Sequence, residues 1–128
     1  MKLDTAVATT ILAMTNPRRS RSFYADLLGL PFRGTDADGK LLFTLAPGAV
    51  LALIQKPAVA QADHTALSFE VADIASAVTE LTAQGVSFDE YDMPGLRTED
   101  HVCVLGSEKA AWFQDPDGNI LCLHEPLR

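Results

Sequence analysis

Three histidines, His64, His101 and His124, and two cysteines, Cys103 and Cys122, are the side chains of this 128-residue chain best suited to chemistry near neutral pH. A histidine beside an Asp or Glu can move protons, and a thiolate can act as a nucleophile. Cys122 stands between Leu121 and Leu123, a setting in which a cysteine is more often a small buried hydrophobe with a raised pKa than a reactive thiol. Cys103, in "HVCVLG", also reads as a packing residue, with more exposure from its loop. No nucleophile elbow, Gly-rich phosphate loop, CxxC or HExxH motif accompanies these residues. Any acid–base pair must therefore be assembled in space.

Bulk properties narrow the partners. The net charge of −7, from 17 acids against 10 bases, argues against a nucleic-acid or anionic-membrane surface, since both need a basic footprint. Two cysteines fit a reducing compartment better than a disulfide scaffold, so a cytoplasmic location is expected. The N-terminal "MKLDTAVATTILAM" carries Asp4 where a signal peptide would be basic, and two threonines, Thr9 and Thr10, break its apolar run; no stretch approaches the roughly 20 apolar residues of a membrane span. The length suits one domain, 1–128.

The elements that must position these residues occur twice. "AVATTILAMT" (6–15) reads as a strand, and "NPRRSRSFYADLLGLPF" follows as a helix capped by Asn16, with Pro17 in its first turn, an i, i+4 stripe of Phe23, Leu27 and Tyr24, Leu28, and Gly29 as terminator. "TALSFEV" (65–71) and "ADIASAVTELTAQGVSF" repeat the plan, with Asp73 as cap, Ile74, Ala77, Val78 and Leu81 as stripe and Gly85 as stop. Gly29 with Gly85, and Phe32 with Phe88, share an offset of 56 (85 − 29 and 88 − 32). Hairpins then close each half: 40–45 with 49–57 around Pro47-Gly48, and 110–114 with 119–126 around Asp115-Pro116-Asp117-Gly118. Laying "ALIQKP" on "LCLHEP" gives an offset of 69 for the last strands (126 − 57) and leaves an insert between Phe88 and the final hairpin. The expected architecture is α+β: two tandem βαβββ modules, 5–57 and 64–126, forming a curved, cup-like mixed sheet with the helices outside.

Taken together, the repeat, the "SRSFYADLLGL" helix and the closing "WFQDPDGNIL" make the chain similar to the vicinal oxygen chelate superfamily of glyoxalase I, extradiol dioxygenases, fosfomycin-inactivating transferases and bleomycin-resistance proteins, over roughly Thr5 to Pro126. The resemblance implies that metal-dependent members hold one divalent ion with His, Gln or Glu from the first, fourth, fifth and eighth strands. Such an ion needs nitrogen or oxygen donors at about 2.0 to 2.2 Å. Here those positions fall on Thr9, Leu53, Ala66 and Cys122, which do not suit it. No metal and no cofactor is therefore expected, and the resemblance implies a homodimer.

His64 and His124 each lie two residues from one of these positions, on the same strand face but displaced in opposite chain directions, which separates them if the strands run parallel. Gln55, matched to His124 by the repeat, suggests a polar rim. Trp112 and Phe113 point to opposite faces, and the family pattern favours Trp112 inward. Tyr91, Met93, Leu96, Arg97 and His101 of the insert suit a lid over a small molecule or a plain surface loop. Arg18, Arg19 and Arg21 read as a solvated helix face. The expected function is metal-free binding of a small organic ligand through Trp112, His64, His124, Gln55, Tyr91, Met93, Arg97 and His101. The alternative is a glyoxalase-type lyase, isomerase or dioxygenase with a displaced metal site or histidine-based catalysis.

Overall fold

Period-two burial along "TTILAM" makes β1 (Thr9–Met14) a strand covered on one side: Leu12 and Met14 are buried while Ile11 is 57% exposed. The computed structural model describes residues 1–127, and these fall into two units, Met1–Ala60 and Gln61 onward. The first continues through α1 (Pro17–Arg21), β2 (Phe32–Thr35), β3 (Leu41–Leu45) and β4 (Ala49–Gln55). Its sheet has the order β1-β4-β3-β2, with β1 parallel to β4 and the other pairs antiparallel. The Asn16 side chain accepts the Arg19 N–H, as its capping position requires.

The first helix does not stay α-helical as the i, i+4 stripe predicts. From Ser22 to Leu27 it widens into π-helix, with the Leu28 N–H bonded five residues back to the Phe23 carbonyl. The wider turn buries Phe23 and Tyr24 side by side, and Leu27 and Leu28 stay half-buried. Tyr24 meets Phe43 at 5.7 Å between ring centroids, so Phe43 and its cross-strand neighbour Leu51 mark the helix-covered side. Arg21 is exposed but stacks over Phe32 at 4.0 Å, a cation–π contact.

The second unit follows the same plan with an interruption. Its elements are β5 (Thr65–Glu70), α2 (Ile74–Gln84), β6 (Asp92–Met93), β7 (Leu96–Arg97), β8 (Cys103–Leu105), β9 (Glu108–Gln114) and β10 (Ile120–Pro126). The sheet order is β5-β10-β9-β8, with β5 parallel to β10. Asp73 caps α2 by accepting the Ser76 N–H, and Glu125 accepts the Ile74 N–H. The Ser76 N–H and hydroxyl, both donating to it, hold the Asp73 carboxyl below its ordinary range. Gly85 ends the helix at φ +114°, a conformation that favours glycine.

The insert is more ordered than a loop. Phe88 bridges to Phe113, the chain leaves through the β6–β7 hairpin, and it returns as β8 on the same edge of β9. Cys103 is thus in a strand and buried, not on a loop. Thr98 pins the excursion: its backbone N–H reaches the Tyr91 carbonyl, while its hydroxyl accepts the Tyr91 N–H and donates to Glu90 Oε2 at 2.6 Å. Among the described residues the result is an α+β fold of two four-stranded mixed sheets and the two-stranded β6–β7 hairpin, with no closed barrel. Among the described residues, no helix is long and apolar enough to cross a membrane.

Candidate functional site

In the second unit, the bond from Ile74 N–H to Glu125 puts Glu125, and with it Leu121, Leu123, Ala111 and Phe113, on the helix side of the sheet. The alternate residues, Cys122, His124, Trp112, Ala110 and Glu108, face the other way, together with Ser68 and Glu70 of β5. Trp112 therefore looks onto the open side and Phe113 into the core, where it meets Phe88 at 5.2 Å.

Trp112 is the centre of this open face. Its indole Nε1–H donates to Thr65 Oγ1 at 3.2 Å, and the Tyr91 ring stands against it at 5.6 Å and 89°. The Asp89 N–H bonds the Trp112 carbonyl, which sets Asp89 directly across from Trp112. Burial first, and Asp89's negative charge second, raise the Tyr91 phenol above its usual range.

A polar cluster lies further along β5 and β10. Ser68 Oγ is 2.6 Å from His124 Nδ1, and His124 Nε2 is 3.8 Å from Glu70 Oε1. Cys122, between this cluster and Trp112 in the register, points its Sγ at the Leu123 carbonyl at 3.2 Å. Burial raises its thiol pKa, so the thiolate form is disfavoured.

The remaining residues singled out in the sequence go elsewhere. His64 precedes β5, is exposed and lies 2.8 Å from Asp63. Since β5 and β10 are parallel and His124 pairs with Glu70, His64 is on the order of 20 Å from it along the strand. His101 packs its ring beside Phe88 at 6.2 Å and lies 2.9 Å from Glu90, away from Trp112's face. It occupies a tight turn in which Asp100 and His101 have φ of +50° and +71°, closed by hydrogen bonds between Glu99 and Val102. Arg97 pairs with Asp92 across the β6–β7 hairpin at 3.0 Å. That hairpin, Met93 included, borders a cleft of about 540 Å³ with Cys103 and Val104.

Two assignments in the first unit need correction. Leu53 shares the helix side with Leu41 and Leu12, opposite to Thr9, and Gln55 shares it with Met14. Gln55 donates to the Thr15 carbonyl and is no partner of an open face. The cause is a slip of one residue in the last-strand repeat: Phe43 pairs with Leu51 as Phe113 pairs with Leu121, an offset of 70 (113 − 43 and 121 − 51) and not 69. One residue reverses a strand's faces. The counterpart of Cys122 is then Ala52, which has no donor atom either. Ala66 sits where the β5–β10 register shifts. Among the described residues, no group of three or more His, Cys, Asp or Glu side chains could hold a metal ion, and within the second unit neither Ala66 nor Cys122 offers one a nitrogen or oxygen side-chain donor.

The sequence model of the glyoxalase/bleomycin resistance protein/dioxygenase superfamily matches residues 6–123. The chain belongs to that superfamily. Solved structures similar to this superfamily member include the glyoxalase family protein from Enterococcus faecalis, with a TM-score of 0.73 and 22% identity over 97% of this chain and 100% of that one. Lactoylglutathione lyase from Agrobacterium tumefaciens has a TM-score of 0.71 and 17% identity over 94% and 93%. TnmS3, an antibiotic binding protein from Streptomyces sp. CB03234, has a TM-score of 0.63 and 19% identity over 95% and 98%. No curated protein matches the chain. At these identities the likeness establishes the superfamily fold, which carries both binding and lyase chemistry and does not choose between them.

Asp89, Ser68, Glu70, Thr65 and Thr98 were not singled out in the sequence. For Ser68 and Glu70 a signal existed, because "LSFE" alternates apolar and polar residues within a strand. For Asp89 and Thr98 there was none, since their roles depend on where the excursion leaves and rejoins β9.

Proposed function

We propose that this superfamily member binds a small, partly apolar organic molecule on the open face of its second sheet, without a metal ion. The observation that carries this is the half-buried Trp112, held by Thr65 and flanked at a right angle by Tyr91. Aromatic walls supply area and stacking at little entropic cost, and nearby polar groups orient a ligand. On this sheet Ala66 and Cys122 offer a divalent ion no nitrogen or oxygen side-chain donor, which supports the metal-free reading.

Trp112 is the single tryptophan, so its fluorescence reports on the site. Saturable quenching by planar aromatic compounds is expected, unchanged by EDTA, with a rise in melting temperature of about 5–10 °C at a hundredfold excess over Kd. Trp112→Ala should remove the temperature rise. A shift that requires added zinc or nickel would instead favour the enzyme reading. That second reading has one observation of its own, the Ser68–His124–Glu70 cluster, which could serve in proton transfer. Turnover of a hemithioacetal, lost in His124→Ala, would establish it.

We also propose a homodimer. Ile11, Leu42, Val50 and Ile54 leave the uncovered side of the first sheet apolar. Light scattering should give twice the 13.8 kDa of the chain, and Ile11→Lys should shift it to monomer.

A further inference from the structure

The Trp112 and Tyr91 rings meet at 89° with centroids 5.6 Å apart, which forms a corner with two π faces. Across the strand from Trp112 lies the Asp89 carboxylate; it lies against the Tyr91 phenol, whose pKa it raises, yet its Oδ2 is shut off from solvent and meets no donor in hydrogen-bonding geometry. A carboxylate oxygen out of water without a donor is costly, by far more than a neutral polar atom would be. The same open face carries Glu70 and Glu108 and, among the described residues, no Lys or Arg: Lys109 faces the helix side and Arg97 pairs with Asp92. Both ring faces and the unbonded carboxylate oxygen attract positive charge, and the chain's net charge of −7 draws cations toward it.

We propose that the ligand of this face is an organic cation, an alkyl- or arylammonium whose charged head sits in the Trp112–Tyr91 corner beside Asp89. This rests on the reading of the open face as a ligand site and names the ligand's chemical class. A quaternary head would use the rings. A head that keeps an N–H would in addition supply the hydrogen bond that Asp89 Oδ2 lacks. A neutral aromatic would fill the corner but leave that oxygen unsatisfied, and an anion would be repelled by three carboxylates.

The test is titration of the full chain, followed by Trp112 fluorescence, with benzyltrimethylammonium, the donor-free neutral benzyl methyl ether and benzenesulfonate as probes. The cation should bind roughly tenfold or more tightly than either of the others. Asp89→Asn should reduce that preference to less than about threefold. Tyr91→Leu, which keeps the carboxylate and removes one ring, should weaken the cation by roughly fivefold and provides an independent reading if Asp89→Asn folds poorly. Equal binding of cation and ether in the wild-type chain overturns the cation assignment and leaves the aromatic ligand site standing. Cation preference undiminished in both variants also overturns it. If none of the three probes perturbs Trp112, the ligand site and the cation assignment fall together.

Discussion

Phe113→Ala is expected to destabilise the second unit by about 3–5 kcal/mol, which is comparable with much of the stability of a small domain. Phe113 is fully buried, bridges to Phe88 through the backbone, and meets its ring edge-on at 5.2 Å. Truncation loses the transfer energy of the ring and leaves a cavity between the sheet and the elements over it. Neighbouring Ala111 is too small to collapse into it. Urea denaturation followed by far-UV circular dichroism measures the change. A loss under about 1 kcal/mol would mean that this side of the sheet is not the core. Phe113→Leu, which conserves more volume, should cost distinctly less.

The second large effect is expected at the turn that joins β9 to β10. Asp115 is buried, and its Oδ1 accepts the backbone N–H groups of Asp117 and Asn119 while Oδ2 accepts Asn119 Nδ2. Asp115→Ala leaves these donors unpaired in a poorly hydrated turn, at a cost of about 3 kcal/mol. Asp115→Asn should cost about half as much: its carbonyl can keep the two backbone donors, but its amide then opposes the Asn119 amide, donor against donor. Denaturation midpoints of the three chains give the order wild type, Asn, Ala. An alanine variant as stable as the asparagine variant would refute this account.

The sequence made the α+β class, both helix caps and the β9–β10 turn legible, because Asn16, Asp73, Gly85 and the Asp115-Pro116-Asp117-Gly118 turn each act through local backbone chemistry. It also made legible that the chain resembles its superfamily. What it left hidden depends on register. The same repeat that revealed the two modules was laid one residue off in the last strand, and that slip put Leu53 and Gln55 on the wrong side of the sheet. The π-helical turn was hidden as well, since Phe23, Tyr24, Leu27 and Leu28 satisfy the i, i+4 pattern whether or not the turn widens. Within the site, Trp112 and His124 could be read from strand alternation. Asp89 and Tyr91 became neighbours of Trp112 only because the chain leaves β9's edge after Phe88 and returns at Cys103.

In each unit the last strand to be made occupies an interior position of its sheet: β4 between β1 and β3, β10 between β5 and β9. During synthesis neither β1 nor β5 has its parallel neighbour until that final segment emerges. Cotranslational assembly of each half is therefore gated by its closing residues, and a ribosome-stalled chain ending before Ile120 would present β5 and β9 as two unjoined edges open to adventitious pairing.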